Sequence, residues 1–102
     1  MKYERKIFKL DEVLRILKKR KADFKSIYGV TEIGVFGSLS RGVEKPNSDI
    51  DIFVKMHPDL LKRACLKEEL ESIFGKKVDV VRYRPGMNKF LKKRIDNEGT
   101  YV

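Results

Sequence analysis

One cysteine, one histidine, no glutamine and no long apolar run set the first limits on this chain. Cys65 has no second thiol to pair with, so no internal disulfide can form, and a reducing, cytoplasmic setting is expected. His57 and Cys65 together are too few donors for a zinc site built by this chain alone. No stretch approaches the roughly 18 consecutive apolar residues of a membrane-spanning helix, so no membrane association is expected. Met1 to Lys6 lacks the apolar centre of a signal peptide. No GxxxxGK[ST] sequence is present, which excludes a Walker A loop. The missing glutamine, set against abundant Lys, Arg and Glu, is weakly in keeping with work at high temperature. Repeats, low-complexity tracts and linkers are also absent, and 102 residues give room for one modest core. A single domain over residues 1–102 is the expectation.

The chain is basic, with a net charge of +9, and the excess is uneven. Residues 1–26 carry +6, residues 27–83 are neutral, and residues 84–102 carry +3. Attraction to nucleic acid or to an acidic partner protein would explain basic ends, and so would ordinary solvated helix faces.

Apolar residues recur at helical spacing over residues 11–28, at Val13, Ile16, Leu17, Phe24, Ile27 and Tyr28. Asp11 can cap this helix and Gly29 can end it. Thr31 to Phe36 reads as a strand, residues 38–42 as a turn or short helix, and Glu44 to Ser48 as a loop. Asp49 to Lys55 is a second strand, with Ile50, Ile52 and Val54 toward the core. A helix then starts at His57-Pro58-Asp59 and runs to about Phe74, stopped by Gly75. Lys77 to Tyr83 is a third strand, and Arg84-Pro85-Gly86 a turn. Residues 87–97 form a last helix, with Phe90, Leu91, Arg94 and Ile95 at helical intervals. Thr100 to Val102 can add a short edge strand. The order α-β-α-β-α-β-α predicts an α/β fold, one sheet with helices packed on it.

Chemistry concentrates in two places. Gly37-Ser38-Leu39-Ser40-Arg41-Gly42 follows the first strand, and Ser48-Asp49-Ile50-Asp51-Ile52 opens the second. Residues i and i+2 of a strand share a face, so Asp49 and Asp51 project side by side. Two adjacent carboxylates repel, and a divalent cation relieves them. Gly37 lets the backbone come close to a phosphate, Ser38 adds a hydroxyl, and amides opening a short helix would point at the anion. Arg41 can add charge to the phosphates, and Gly42 permits a turn.

Asp79 lies mid-strand between Val78 and Val80 and faces away from them. If the second and third strands are neighbours, Asp79 joins Asp49 and Asp51. Three carboxylates on rigid strands can hold two Mg²⁺ ions roughly 3.5–4 Å apart. Such ions would activate an attacking hydroxyl and neutralise a triphosphate and its leaving pyrophosphate. An all-carboxylate set suits Mg²⁺ or Mn²⁺.

Each element has a plainer reading when taken alone. A Gly-Ser turn is usually a loop, an Asp-x-Asp a solvated strand face, and Asp79 an edge device against aggregation. Their conjunction, turn after strand, pair after turn, third acid on the next strand, favours the functional reading. His57 reads as a loop or helix-start residue. Cys65 reads as a small buried or half-buried side chain, and Tyr83 and Tyr101 as packing aromatics.

This conjunction resembles the minimal nucleotidyltransferase (MNT) family of the DNA polymerase β-like superfamily. The residues that carry it are Phe36-Gly37-Ser38-Leu39-Ser40-Arg41-Gly42, Ser48-Asp49-Ile50-Asp51-Ile52 and Lys77-Val78-Asp79-Val80-Val81. The likeness spans residues 11–102 and lacks no core position of the pattern. It implies a small mixed twisted sheet and transfer of a nucleoside monophosphate, usually AMP from ATP, to a hydroxyl. It implies metal binding by Asp49 and Asp51, completion of the metal site and help in acceptor activation by Asp79, and a grip on the β- and γ-phosphates by Gly37 and Ser38. Members of this length are commonly antitoxins paired with a small helical HEPN-type toxin, and some add AMP to the toxin's tyrosine. About 100 residues leave little surface for a dedicated acceptor site, so the acceptor or a second subunit should bring its own, and the basic ends offer it a dock. Two alternatives stand beside this: a non-catalytic antitoxin that neutralises by binding, and transfer to an RNA 3′ end, which the positive charge permits. Nothing in the sequence names the acceptor, the donor base or the oligomeric state.

Overall fold

The computed structural model describes residues 7–42 and 49–102; the loop expected over residues 44–48, including Ser48, lies outside them. The elements run α1 (Leu10–Tyr28), β1 (Glu32–Phe36), β2 (Ile50–Lys55), α2 (Leu60–Phe74), β3 (Val78–Arg82), α3 (Lys89–Glu98) and β4 (Thr100–Tyr101). The strands form one mixed sheet in the order β3-β2-β1-β4. β1 is antiparallel to β2 and to β4, while β2 and β3 are parallel. The α/β class and the edge position of the last strand are as expected, but the order differs: β1 runs to β2 through a turn with no helix between them among the described residues, so the chain reads α-β-β-α-β-α-β.

Strand alternation gives the sheet two different faces. On one, Ile33, Val35, Ile50, Ile52, Val54 and Val78 pack against α1 and α2 through residues such as Val13, Leu17, Phe24, Leu66, Leu70 and Phe74. Complete burial of such side chains stabilises by roughly 1.5–3 kcal/mol each, which makes this the larger core. The opposite face carries the aspartates at one end. Farther along it, Phe36, Phe53, Met87 and Ile95 form a second, smaller buried cluster under α3. The sheet is therefore covered by α1 and α2 on one side and by α3 on part of the other.

The helix ends differ in detail from the sequence expectation. Asp11 does not cap α1: Lys9 holds the cap position, and its backbone N–H donates to Glu12 Oε1 at 3.1 Å. Asp11 sits in the first turn, where a negative charge suits the helix dipole. Asp59 caps α2 by accepting from the Lys62 N–H at 2.9 Å. Asn88 caps α3 by accepting from Phe90 and Leu91 N–H at 3.0 and 3.1 Å. α3 seats itself through Leu91 and Ile95, so Phe90, one residue round the helix, is 83% exposed and outside the core. Ile27 is likewise exposed on α1. Among the described residues no helix is long and apolar enough to cross a membrane.

Candidate active site

Register brings the carboxylates together. Asp51 is paired with Phe36 of β1 on one side and with Asp79 of β3 on the other. β2 and β3 are thus the neighbours that the trio requires. Asp49 stands one residue before β2 and is exposed, Asp51 is half-buried, and Asp79 is exposed. All three belong to the face that α3 leaves uncovered at this end.

Gly37 follows Phe36 directly with φ of +78°, in the left-handed region that favours glycine. A Cβ at position 37 would meet Asp51 Oδ2 at 2.3 Å and Asp51 Cγ at 3.1 Å. The absent side chain is what lets the turn and the carboxylate share one place. Residues 38–42 then form a tight turn and no regular helix, with Arg41 N–H donating to Ser38 O at 3.1 Å and Gly42 N–H to Leu39 O at 3.0 Å. Leu39 anchors the turn in the larger core. Ser40 Oγ donates to the Glu98 carbonyl and lies 2.9 Å from Thr100 Oγ1. The Ser38 hydroxyl is half-buried and bonds no described residue.

Arg41, expected to add charge to the phosphates, also pairs with the end of α3. Its Nη1 lies 3.0 Å from Glu98 Oε1 and 3.1 Å from Oε2, which ties the turn to the end of α3. A second arginine at this site was not singled out from the sequence. Arg94 of α3 holds its guanidinium 5.6 Å from the centre of the Phe36 ring, beside Asp51's neighbour on β1. Its spacing with Phe90 is helical, and that placed it on a helix face without showing which face looked toward the carboxylates.

The electrostatics follow from this packing. Burial, then the neighbouring charge of Asp79, pushes the Asp51 carboxyl up from an ordinary 3.8 to about 6. Asp49 adds to the rise, while Arg94 and Arg41 oppose it. Lys76, a buried residue, is held below the usual lysine range by burial, against the attraction of Asp49.

The donor set is hard oxygen throughout, and the strained charge on Asp51 is what a divalent cation would relieve, so the residues fit Mg²⁺ or Mn²⁺. The expected closed cluster is absent: among the described residues no three His, Cys, Asp or Glu side chains converge to hold one metal ion. Asp49 precedes the strand, while Asp51 and Asp79 are register partners on β2 and β3, so the trio forms an open row.

The remaining candidates fall elsewhere. Tyr83 Oη donates to Asp96 Oδ1 at 2.7 Å and packs against the smaller core. Tyr101 stacks edge-on against Phe53 with ring centres 4.9 Å apart. Cys65 is exposed on α2, not buried, because the buried stripe of that helix runs through Leu66, Leu70 and Phe74. His57 is exposed at the opposite end of β2 from the aspartates.

Residues 10–102 match the family of nucleotidyltransferase domains. The protein adenylyltransferase MntA of Thermococcus cleftensis is 40% identical over 95 residues, which cover 91% of this chain and 95% of that protein. A solved structure described as a minimal nucleotidyltransferase superposes with a TM-score of 0.74 at 31% identity, over 93% of this chain and 97% of that one. A solved toxin–antitoxin complex with AMP-PNP gives 0.67 at 27% identity, over 92% of this chain and 72% of that one. With a family match running from Leu10 to the last residue and this identity to a full-length relative, the chain belongs to the nucleotidyltransferase domain family.

Proposed function

We propose that this nucleotidyltransferase moves AMP from ATP to a tyrosine hydroxyl of a HEPN-type toxin and so acts as its antitoxin. The observation that carries the chemistry is the contact between Gly37 and Asp51, which joins a phosphate-sized turn to a carboxylate row. Adenylyltransferase relatives and the likeness to a toxin–antitoxin complex holding AMP-PNP support the donor and the class of acceptor.

Asp49, Asp51 and Asp79 would hold Mg²⁺ or Mn²⁺, in two positions, and the ions would neutralise the triphosphate and acidify the acceptor hydroxyl. Gly37, Ser38 and Arg41 hold the phosphates: Gly37 by close backbone approach, Ser38 by its open hydroxyl, Arg41 by charge. Asp79, exposed at the outer end of the row, helps to draw the proton from the acceptor. The acceptor oxygen bonds to the α-phosphorus, the bond from that phosphorus to the bridging oxygen breaks, and pyrophosphate leaves with the electron pair. Transfer to an RNA end draws only on net charge, and no feature of the described site favours it.

The direct experiment incubates the purified chain with labelled ATP, Mg²⁺ and a HEPN-type protein from the same organism. Label on that protein's tyrosine, lost with Asp49→Ala/Asp51→Ala, is expected. Equal labelling by wild type and the double variant, or none by either, would overturn the reading.

A further inference from the structure

The end of the sheet opposite the aspartates has its own chemistry. Asp51 and Lys55 lie at opposite ends of β2, four residues or about 13 Å apart. Around Lys55 two depressions adjoin, of about 500 Å³ and about 450 Å³, and both are lined by Arg82 and Arg84. Lys55, His57 and Tyr83 complete the first, while Leu60 and Arg63 border the second.

The cations there are not all spent internally. Lys55 pairs with Glu32 at 3.1 Å, and Arg82 Nε donates to the Met56 carbonyl at 2.9 Å. The guanidinium groups of Arg63 and Arg84 have no hydrogen-bond or ion-pair partner among the described residues. Asp59, the one carboxylate lining the second depression, is engaged as the α2 cap. The first turn of α2 carries no acidic residue beyond the Asp59 cap, whose carboxylate is set against the positive end of the helix dipole. Leu60, which borders the second depression, is 74% exposed, and Leu61, the next residue of α2, is 75% exposed.

We propose that this surface, remote from the carboxylates, docks the partner protein through a segment that presents carboxylates flanked by apolar side chains. The inference rests on the adenylyltransfer reading above and adds where the acceptor protein is held. Charge complementarity selects the acidic part of the occupant, and Leu60 and Leu61 select the apolar part. A small anion would fill one depression and leave both leucines wet. A nucleic-acid backbone would use the arginines and gain nothing from the leucines. A protein segment covers both, and arginine beside buried apolar contact is the chemistry of interface hot spots. The basic helix α1 is then a solvated face, and the dock draws on Arg63 and Arg82 of the charge-neutral middle of the chain. Holding the partner at one end of the sheet lets its tyrosine reach the other, and binding survives when catalysis does not.

The test titrates a purified HEPN-type protein from the same organism into wild type, Leu60→Ser/Leu61→Ser, Arg63→Glu/Arg84→Glu and, as a control of equal charge change on α1, Lys18→Glu/Arg20→Glu. Thermal unfolding with and without Mg²⁺-ATP verifies folding and the nucleotide site in each. A loss of affinity of about tenfold or more in both dock variants, with the control and the Mg²⁺-ATP shift intact, is expected. Dock variants that bind like wild type, or a control that loses as much, would overturn this inference while leaving the adenylyltransfer reading untouched. A wild type that neither binds nor labels the toxin would overturn both.

Discussion

The carboxylate of Asp51 occupies the space that a side chain at Gly37 would need, with Oδ2 2.3 Å from the position of a Cβ there. Gly37→Ala therefore meets two penalties, the contact and a φ of +78°. The backbone penalty alone is about 1–2 kcal/mol. Chemical denaturation should show a larger loss than that, together with weaker ATP binding. In an Asp51→Ala background the same substitution should cost only the part due to φ. An equal loss in both backgrounds would assign the whole of it to the backbone.

The Asp51 carboxyl sets a pH dependence with a definite sign. It holds its proton more tightly folded, at about 6, than at its ordinary 3.8, because of burial and then Asp79. The folded protein thus binds more protons than the unfolded chain between those values, so this group's contribution makes stability fall as pH rises from 3.8 to 6. Asp51→Asn removes the cost. At pH 7 and without metal the variant should be more stable by about 1–2 kcal/mol, a figure reduced for solvent screening at a half-buried site. Below pH 4 the advantage should vanish. AMP transfer should be lost at every pH, and the rise in melting temperature that Mg²⁺ gives wild type should shrink or disappear. Urea titrations at pH 3.5, 5 and 7 read the sign directly.

Period-two alternation is why the faces of Asp49, Asp51 and Asp79 were legible: parity along a strand settles which side a residue takes. Parity says nothing of lateral approach, so the closeness of Asp51 to Gly37 needed the β1–β2 register. The same parity places Phe53, two residues past Asp51, on the aspartate face, where it seats α3 against the sheet. The links from Ser40 and Arg41 to Glu98 and Thr100 span 57–60 residues, and no local pattern encodes such contacts. Cys65 shows the related limit on helices, since a stripe through Leu66 and Leu70 leaves its neighbour in water.

Those long links tie the phosphate turn to the C-terminal segment. Thr100→Val removes the hydroxyl partner of Ser40 Oγ, 2.9 Å away, and should cost about 1 kcal/mol. Arg41→Ala breaks an exposed ion pair to Glu98 and should cost no more than about 1 kcal/mol. If Arg41 also serves the phosphates, its loss should raise the KM for ATP several-fold, well beyond that of Thr100→Val. Steady-state kinetics on the two variants, beside their melting curves, separates the roles. Equal KM values would confine Arg41 to the ion pair.

Arg94 supplies the other positive charge near Asp51, from a guanidinium 5.6 Å from the Phe36 ring centre. Its charge holds the Asp51 pKa below where burial and Asp79 would take it. Arg94→Gln removes that restraint, so Asp51 should keep its proton to a higher pH. Without metal, the fall in stability that Asp51 produces as pH rises should then extend to a higher pH. Arg94→Lys keeps the charge on a shorter reach and should extend it less. Because Arg94 is exposed and its row on α3 is not the one that packs, neither change should cost much stability. A Gln variant whose metal-free stability follows pH as wild type does would show that Arg94 acts on the ring and not on the carboxylate.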